Sequence, residues 1–511
     1  MITDVVIAGA GPNGLMLACE LGLAGVRALV LERLPERTRE NRANGLVGQV
    51  VRMFDRRGLY ERLTGTQGPP EPAPGFVFGG LPLDLGVLDD NPLHLLPVPQ
   101  LRIEQMLEER AVELHAEIRR GHELTGFTQD ADGVTVQVSG PAGPYTIETR
   151  YLVGADGGHS VVRKLAGIAF PGVTTDLTIS RTAHAVVPAE LVDPATGRLD
   201  IPGYGTIPPF LHHRTERGVF VYAPLPGTGT PLISTMEWSG QDPEGPLTLA
   251  ELRASVRRVL GADIAFGPPD GQGPHMMRKL TGGNTRLAGR FMDGRVLLVG
   301  DAAHVHSAIG GPGLNLGLQD AVNLGWKLAA DVRGLAPDGL LDTYESERRP
   351  AAERVVMSSR AQSALIGPGS EVTGLRALFT ELLGDPRNVG RIADLMSGAD
   401  IRYDVGVDHP LAGRWAPDLD LADGVRLAEL TRDGRPHLID FTGGDWGHPA
   451  TAGLPGSTTP CTALLLRPDG YVAWATDVPE PDAESRASLR AAIRRWLDAS
   501  RCAAEGCAGG R

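Results

Sequence analysis

The first 33 residues have the hydrophobic pattern of a strand, a helix and a second strand. Positions 5–8 form a short apolar run with β-branched residues, which is typical of a buried parallel strand. Positions 15–21 suit a helix, and the apolar run at 28–32 predicts the next strand. Because strands that alternate with helices form parallel sheets, this pattern predicts a doubly wound α/β fold.

The middle of the chain has a different pattern. Residues 172–280 carry short β-type runs and one helical stretch at 249–260, which predicts a separate antiparallel, substrate-binding domain. The Pro- and Gly-rich residues 72–98 are expected to contribute to that domain. The flanking residues, 1–171 and 281–400, are assigned to a single nucleotide-binding domain.

The C-terminal part, residues 404–511, changes to turns rich in Asp, Gly and Pro. Strands near 463–466 and 471–474 and a final helix at 488–499 predict a third, small α/β domain. The cysteines form no CxxC pair and no metal-ligand cluster, so we expect no disulfide framework, no dithiol redox chemistry and no metal site. The four cysteines of the chain are Cys19, Cys461, Cys502 and Cys507.

A glycine-rich turn joins the first strand to the first helix. Gly9, Gly11 and Gly14 have the G-x-G-x-x-G spacing that allows a tight turn, a close approach to a diphosphate and close helix packing. The diphosphate would lie at the helix N-terminus. Glu32 ends the second strand, where a carboxylate binds ribose hydroxyls. A glycine pattern alone also fits an ordinary turn, but with strand, helix and acid all present it predicts a dinucleotide such as FAD or NAD.

Two later segments distinguish between these cofactors. An apolar strand within residues 151–163 ends in Asp156-Gly157, and a strand within residues 294–304 ends in Asp301. Asp301 is placed to bind the ribityl hydroxyls of a flavin, and residues 310–315 open a long helix, predicted over 314–332. The free N–H groups at that helix end would face the pyrimidine edge of a flavin. Together and in this order, the segments indicate a flavin site.

Composition limits the location and the partners of the protein. The chain has 511 residues, 42% of them hydrophobic and 22% charged, as in ordinary globular proteins. Its net charge of −13 disfavours nucleic acid and anionic membrane surfaces as partners. The chain has no basic segment before an apolar N-terminal stretch and no apolar run of membrane-spanning length, so we expect a cytoplasmic protein. A homodimer is compatible with these expectations.

With these motifs in place, the sequence resembles the FAD-dependent aromatic hydroxylases, which are class A flavoprotein monooxygenases. The closest resemblance is to polyketide-tailoring members that carry a C-terminal thioredoxin-like domain without redox cysteines. The matching segments include residues 42–46, 99–102, 300–304, 319–328 and 344–350. The resemblance implies a Rossmann-like FAD-binding domain of the glutathione-reductase type and a substrate domain with a mixed β-sheet. The FAD-binding residues that it implies are Gly9, Ala10, Gly11, Asn13, Gly14, Glu32, Arg33, Arg42, Gln100, Leu124, Asp301, Gly311, Gly313, Leu314 and Asn315.

The reaction implied by the resemblance is hydroxylation of a polycyclic aromatic polyketide through a flavin C4a-hydroperoxide. O₂ and NADPH or NADH would be the co-substrates, with no second nucleotide-binding domain. Baeyer–Villiger insertion or epoxidation of a related polyketide is an alternative, and a flavin oxidase without oxygen transfer is another. The chain departs from the family pattern at Gln49, Ala308 and Pro312, where family members commonly have Arg, Pro and Gln. We expect these departures to affect the type of reaction more than the binding of the cofactor.

Two residues are candidates for a catalytic role. Arg52 lies on a helix predicted over 47–59 and would face the flavin or an anionic substrate; the alternative is a solvated surface arginine. His306, with its neighbour His304, flanks the flavin-facing turn and would act on a substrate phenol near neutral pH. The alternative for these histidines is a structural role with satisfied hydrogen bonds.

Overall fold

The computed structural model describes residues 2–38, 43–224, 230–238, 245–269, 275–307, 309–422, 424–453 and 461–497. The helices within these residues are α1 Pro12–Leu23, α2 Gln49–Asp55, α3 Leu59–Thr64, α4 Gln100–Glu113, α5 Val161–Leu165, α6 Leu249–Leu260, α7 Pro312–Val332, α8 Thr343–Ile366, α9 Ser370–Leu382, α10 Pro386–Ser397, α11 Leu427–Leu430 and α12 Ala483–Trp496.

The strands follow the same numbering along the chain. The first twelve are β1 Ile2–Ala8, β2 Ala28–Glu32, β3 Gly45–Val47, β4 Gly75–Phe78, β5 Leu81–Asp84, β6 Leu95–Pro97, β7 Glu117–Arg120, β8 Glu123–Gln129, β9 Val134–Gly140, β10 Gly143–Gly154, β11 Gly172–His184 and β12 Leu199–Ile201. The remaining ones are β13 Gly205–Ile207, β14 His213–Arg214, β15 Gly218–Ala223, β16 Leu232–Glu237, β17 Met277–Leu287, β18 Met292–Asp293, β19 Val296–Leu298, β20 His304–Val305, β21 His437–Asp440, β22 Thr451–Ala452, β23 Ala463–Leu466 and β24 Val472–Thr476.

The first sheet has the order β18-β19-β10-β1-β2-β7 and is parallel from β19 to β7. Strand β1 lies inside it, and Val5, Val6 and Ile7 are fully buried, as an apolar parallel strand requires. Helix α1 packs against α4 and α7, and the antiparallel strands β8 and β9 extend from β10. The carboxyl ends of β1, β2, β10 and β19 therefore meet at one edge, where open α/β sheets bind ligands.

The second sheet, β14-β15-β16-β11-β17-β20, is antiparallel. Helix α6 packs on one of its faces, where Leu252 and Val256 join the buried residues Phe220 and Ile233. The helix has the bounds that its sequence pattern predicts, because Thr248 caps its N-terminus and Gly261 ends it in a left-handed conformation. The opposite face of this sheet remains available for a cavity.

The C-terminal sheet has the order β22-β21-β23-β24, with β21 and β22 parallel and the other pairs antiparallel. Buried charged residues join it to the first sheet's helices. Arg467, which follows β23, is fully buried and pairs with Glu347 of α8 at 2.5 Å and with Asp469. Arg57 pairs with Glu20 of α1 at 2.7 Å and donates to the carbonyl of Pro468 at 2.7 Å.

Two predicted helices differ from the observed ones. The helix predicted over 47–59 is two helices, α2 and α3, because Gly58 between them adopts a left-handed φ of +66°. The helix predicted over 488–499 begins earlier, at Ala483, because Asp482 and Ser485 form a capping box there. Positions 498 and 499 lie outside the described residues.

Within the part of the chain that the structure describes, no three His, Cys, Asp or Glu side chains form a group that could hold a metal ion. Among the same residues, no helix combines the length and the apolar character needed to cross a membrane. Cys19 and Cys461 are buried free thiols, whereas Cys502 and Cys507 lie outside the described residues. Burial raises the pKa of the Cys461 thiol to about 12, so it is not a reactive thiolate at neutral pH.

Candidate active site

A cavity of about 1560 Å³ lies at the carboxyl edge of the first sheet and extends to the open face of the second. Its first wall consists of the lining residues within 8–47, 100–161 and 301–314. Its second wall consists of the lining residues within 75–97 and 180–280. The parallel strands supply the turns of the first wall, and the antiparallel sheet supplies much of the second.

The glycine turn in the first wall has the shape of a diphosphate loop. Gly9 has a φ of +110°, and a Cβ there would lie 2.5 Å from the carbonyl oxygen of Ala155. A Cβ on Gly14 would collide with the carbonyl oxygen of Gly9. Gly11, in contrast, has open space around it, and a Cβ on this residue would have no atom within 4 Å. Two glycines therefore serve close packing and the third leaves room for a ligand, as the sequence spacing requires.

Glu32 lines the cavity beside this turn. Its Oε2 accepts the N–H of Ala10 at 2.9 Å, and its Oε1 accepts the N–H of Leu34 at 2.9 Å. A carboxylate has about four acceptor positions, so capacity remains for ribose hydroxyls. Ala10, Asn13, Arg33, Gln100 and Leu124 also line the cavity.

Asp301 is exposed at the cavity wall, in a single 3-10 turn over Gly300–Ala302. Helix α7 begins nearby at Pro312, after Gly311 with a φ of +68°. Gly311, Gly313 and Leu314 line the cavity. This arrangement fits the ribityl chain and pyrimidine edge of a flavin.

Some predicted binding residues lie elsewhere. Gly14 is buried in α1, and Arg42 lies outside the described residues. Asn315 is buried and is not part of the cavity wall. Its Oδ1 accepts the N–H of Val47 at 2.9 Å, and its Nδ2 donates to the carbonyl of Gly311 at 2.7 Å. The Asn315 side chain thus joins β3 to the start of α7, and its amide group has a structural role in these contacts.

Arg52 does not face the cavity that the described residues form. Its Nη2 donates to the carbonyl of Ala416 at 3.4 Å, and Arg56, one turn later, donates to the same oxygen at 2.7 Å. Residues four apart share a helix face, so this face of α2 packs against the C-terminal segment. The structure thus places the Arg52 side chain against the C-terminal segment, and its role toward the flavin or a substrate stays a prediction.

His306 lines the cavity, and burial lowers the pKa of its imidazole to about 4. It is therefore neutral near pH 7. His304 lies behind it and is fully buried. The His304 Nε2 lies 2.6 Å from Asp320 Oδ2, and the same carboxylate accepts from Arg348 Nε at 2.8 Å. His304 thus has a structural role, and the sequence pattern did not assign Asp320 to this cluster.

The second wall contains functional candidates that the sequence did not single out. Phe210 is 47% exposed and has a φ of +61°, a left-handed conformation that is rare for aromatic residues. His212 lies two residues later, and burial lowers its pKa. Phe76 and Arg278 also line this wall. The pair Pro208-Pro209 before Phe210 was the one local signal for an unusual turn.

A family model described as the FAD binding domain matches residues 2–359, and a model described as the aromatic-ring hydroxylase C-terminal domain matches residues 409–500. The chain belongs to the FAD-binding aromatic-ring hydroxylases. This membership confirms the predicted family, with FAD as the cofactor and flavin-dependent monooxygenation as the activity class. It also confirms a mixed α/β fold with several sheets.

Individual relatives align with this hydroxylase over nearly their whole length. A 12-dehydrotetracycline 5-monooxygenase/anhydrotetracycline 6-monooxygenase from Streptomyces rimosus is 43% identical, over 97% of this chain and 98% of the relative. The solved structure of an anhydrotetracycline hydroxylase from Streptomyces rimosus has a TM-score of 0.83 and 40% identity, and the match covers 98% of this chain and 99% of that one. A dialkyldecalin synthase from Streptomyces rugosporus is 36% identical, over 97% of this chain and 99% of the relative.

Proposed function

We propose that this hydroxylase transfers one oxygen atom from O₂ to a polycyclic aromatic polyketide, with NADPH or NADH as the electron donor. The observation that carries the proposal is a single cavity shared by a dinucleotide-type wall and a largely apolar wall. Its volume of about 1560 Å³ exceeds the roughly 300–1,000 Å³ of pockets for one small ligand. The space therefore suits FAD together with a substrate of several rings.

The first wall would hold the cofactor. Gly9, Ala10, Gly11 and Asn13 surround the start of α1, where N–H groups and the helix dipole favour a diphosphate. Further contacts would come from Glu32 and Arg33 to the adenosine, from Asp301 to the ribityl chain and from Gly313 and Leu314 to the pyrimidine edge. When bound, FAD supplies the activation of O₂. The residues of the chain bind and orient the reactants and exclude water from them.

The second wall would hold the substrate rings. Most of its members are apolar, and Phe76 and Phe210 offer ring faces that can stack on an aromatic system. His306 lies at the border of the two walls and, as a neutral imidazole, can hold a hydrogen bond with a substrate hydroxyl. This is the catalytic role that we propose for His306.

The domain organisation is part of the proposal. Residues 1–171 and 281–400 would form a Rossmann-like FAD-binding domain, and residues 172–280, with 72–98, a substrate-binding domain. Residues 404–511 would form a thioredoxin-like domain. The order β22-β21-β23-β24, followed by the final helix α12, supports the last assignment. Because the sequence of this segment has no CxxC motif, its role would be structural, through contacts such as those of Arg57 and Arg467.

An oxygen-isotope experiment tests the proposal. The FAD-loaded enzyme would be supplied with NADPH or NADH, oxygen-18 gas and a panel of anthraquinone-type and tetracycline-type compounds. The expected result is a hydroxylated product that carries one labelled oxygen atom. A ring-expanded lactone with label would indicate Baeyer–Villiger insertion, and a labelled epoxide would indicate epoxidation.

Two outcomes would contradict oxygen transfer altogether. Hydrogen peroxide with an unlabelled oxidised product would indicate an oxidase. An unlabelled, rearranged product formed without consumption of NADPH or NADH would indicate a cyclase-like activity, as the name of the dialkyldecalin synthase suggests for that relative. Reactions without the nicotinamide cofactor are the matched control.

A further inference from the structure

The second wall of the cavity has a guanidinium group among mostly apolar lining residues. Among the described residues of 72–98 and 172–280, Arg278 is the only Asp, Glu, Lys or Arg that lines the cavity. The lining histidines do not add positive charge, because burial lowers the pKa of His212 and brings that of His306 to about 4. The Arg278 side chain is half-buried at this wall, and a guanidinium can donate charge-assisted hydrogen bonds to an anionic oxygen of a ligand.

Strand pairing places two hydroxyl side chains on the same face of the sheet as Arg278. Arg278 of β17 is directly opposite Thr182 of β11, and Leu280 is opposite Ser180. Directly paired residues point to the same face of a sheet with their Cβ atoms about 4.5–5.5 Å apart. All four side chains line the cavity. The Thr182 hydroxyl also lies 2.8 Å from the Ser234 hydroxyl, which fixes its position.

We propose that Arg278, supported by Ser180 and Thr182, determines substrate specificity by binding an ionised phenol or enol oxygen on the edge of the substrate. This inference rests on the proposed function, since it assumes that the ring system occupies the second wall. The planar guanidinium donates several N–H bonds in one plane, which suits a phenolate that lies flat in the cavity or the oxygen pair of a β-hydroxyketone.

Stabilising the ionised form has a chemical consequence for the reaction. A positive charge within about 4–6 Å lowers the pKa of an acidic group by about 1–3 units. A phenol that is held as phenolate has a more electron-rich ring, and such a ring reacts faster with an electrophilic oxygen. Arg278 would therefore select substrates with an acidic hydroxyl and prepare them for hydroxylation.

The test compares a phenol with its methyl ether on the FAD-loaded enzyme. The probes are 1,2-dihydroxyanthraquinone and 1,2-dimethoxyanthraquinone, and binding is followed through the flavin absorbance and fluorescence. The measurements are made at a pH about one unit below the pKa of the dihydroxy probe in water. At this pH the visible band of the phenolate shows whether the bound probe is ionised. The variants are Arg278→Gln, Arg278→Lys and Lys279→Gln, the last of which removes a charge from the adjacent residue of the same strand.

The wild type should bind the dihydroxy probe about tenfold more tightly than the ether and show the phenolate band. Arg278→Gln should lose both the preference and the band, while the affinity for the ether stays unchanged. Arg278→Lys keeps the charge but not the planar set of donors, so it should retain the band and part of the preference. Lys279→Gln should behave as the wild type does.

Two results would overturn the inference and are distinguishable from a failure of the proposed function. If Arg278→Gln and Arg278→Lys both keep the preference and the phenolate band, Arg278 does not recognise the oxygen. If the wild type binds both probes equally, the cavity accepts polycyclic compounds but has no site for the anion. If the wild type binds neither probe, the proposed substrate class is wrong and this inference fails with it. FAD content and the thermal midpoint show whether the Arg278→Gln variant is misfolded. If it is, the preference and the phenolate band of Arg278→Lys decide whether Arg278 recognises the oxygen.

Discussion

The His304 Nε2 lies 2.6 Å from the Oδ2 of Asp320, and neither side chain is exposed to solvent. The same carboxylate accepts from Arg348 at 2.8 Å and from the N–H of Gly300 at 3.2 Å. Gly300 begins the turn that presents Asp301 to the cavity. A buried carboxylate of α7 thus fixes the turn that we expect to hold the cofactor.

Replacing Asp320 by Asn should destabilise the protein in a pH-dependent manner. Burial alone would raise the pKa of this carboxyl, but His304 and Arg348 outweigh burial and hold the pKa below its ordinary value. The ionised group therefore stabilises the fold above about pH 4, and this contribution is lost as the pH falls through the lowered pKa. Asp320→Asn should cost about 3 kcal/mol or more at pH 7, because it leaves Arg348 without its counter-ion.

Thermal unfolding of both proteins at pH 7 and near pH 3.5 measures this effect. The difference between wild type and variant should shrink at the lower pH. The exposed Asp338, replaced by Asn, is the matched control and should change stability by less than about 0.5 kcal/mol. An Asp320→Asn variant as stable as wild type at pH 7 would show that the cluster does not support the turn.

Asp301→Asn should separate cofactor binding from stability. The residue is exposed at the cavity wall, so the apo-protein should keep its thermal midpoint. The amide loses the charge and half of the acceptor capacity, and FAD affinity should fall by about tenfold, or about 1.4 kcal/mol. Asp301→Ala should have at least the same effect. Equal FAD dissociation constants for the wild type and both variants, measured by flavin fluorescence, would remove Asp301 from the cofactor site.

Glu32→Ala should behave differently from the Asp301 variants. Its carboxylate accepts the N–H groups of Ala10 and Leu34 and therefore also shapes the glycine turn. Loss of these acceptors should lower both the apo-protein stability and the FAD affinity, by about 1–3 kcal/mol each. Glu32→Gln retains one acceptor oxygen and should lie between wild type and Glu32→Ala. If a variant loses FAD affinity but keeps the stability of the apo-protein, Glu32 contributes to FAD binding and not to the stability of the glycine turn.

His306 should not produce a step in the pH–rate profile near neutrality. Its imidazole, with a pKa of about 4, is neutral over the working range, so kcat/KM of His306→Asn should be reduced by a factor that does not vary from about pH 6 to pH 8. The unfolded residue titrates near pH 6.5. Wild-type stability should therefore decline as the pH falls from about 6.5 towards 4, and His306→Asn should remove that part of the decline. A rate step near pH 6.5 that vanishes in the variant would contradict the buried, neutral histidine.

The sequence predicted those features that depend on local pattern. The glycine turn, the strand ending in Glu32 and the bounds of α6 follow from spacing, strand pattern and caps, and the structure has them where they were expected. The contact of Arg52 could not be predicted in this way, because its hydrogen-bond acceptor is the carbonyl of residue 416, far along the chain. Local patterns carry no information on such contacts.

The sequence predicted the ranges that form the second wall but not which of their polar side chains meet there, for the same reason. Arg278 and Thr182 are neighbours only through the pairing of β11 with β17, and their sequence context is that of ordinary strand residues. In the sequence, Asp320 is an ordinary acidic residue of a long helix, and only the fold brings His304 and Arg348 into contact with it. Long-range pairing, rather than composition, decides which polar residues meet.

Phe210 allows a last test, in which backbone strain and ligand contact are separated. Its φ of +61° places an aromatic residue in the left-handed region, at a cost of about 1–3 kcal/mol, and its N–H donates to the carbonyl of Tyr222 at 2.8 Å. Phe210→Gly removes both the ring and the strain, whereas Phe210→Ala removes the ring and keeps the strain. The Gly variant should therefore be more stable than the Ala variant by about 1 kcal/mol.

Both variants should lose affinity for 1,2-dihydroxyanthraquinone by a similar factor, because each lacks the ring that we expect to stack on the substrate. Stacking contributes about 0.5–1.5 kcal/mol beyond area burial, so the loss should be about threefold to tenfold. FAD affinity should stay the same, since Phe210 belongs to the second wall. If Phe210→Gly is the more stable variant and yet binds the probe as the wild type does, the Phe210 ring has no role in substrate binding. Equal stability of the Gly and Ala variants would instead show that the left-handed conformation costs nothing at this position.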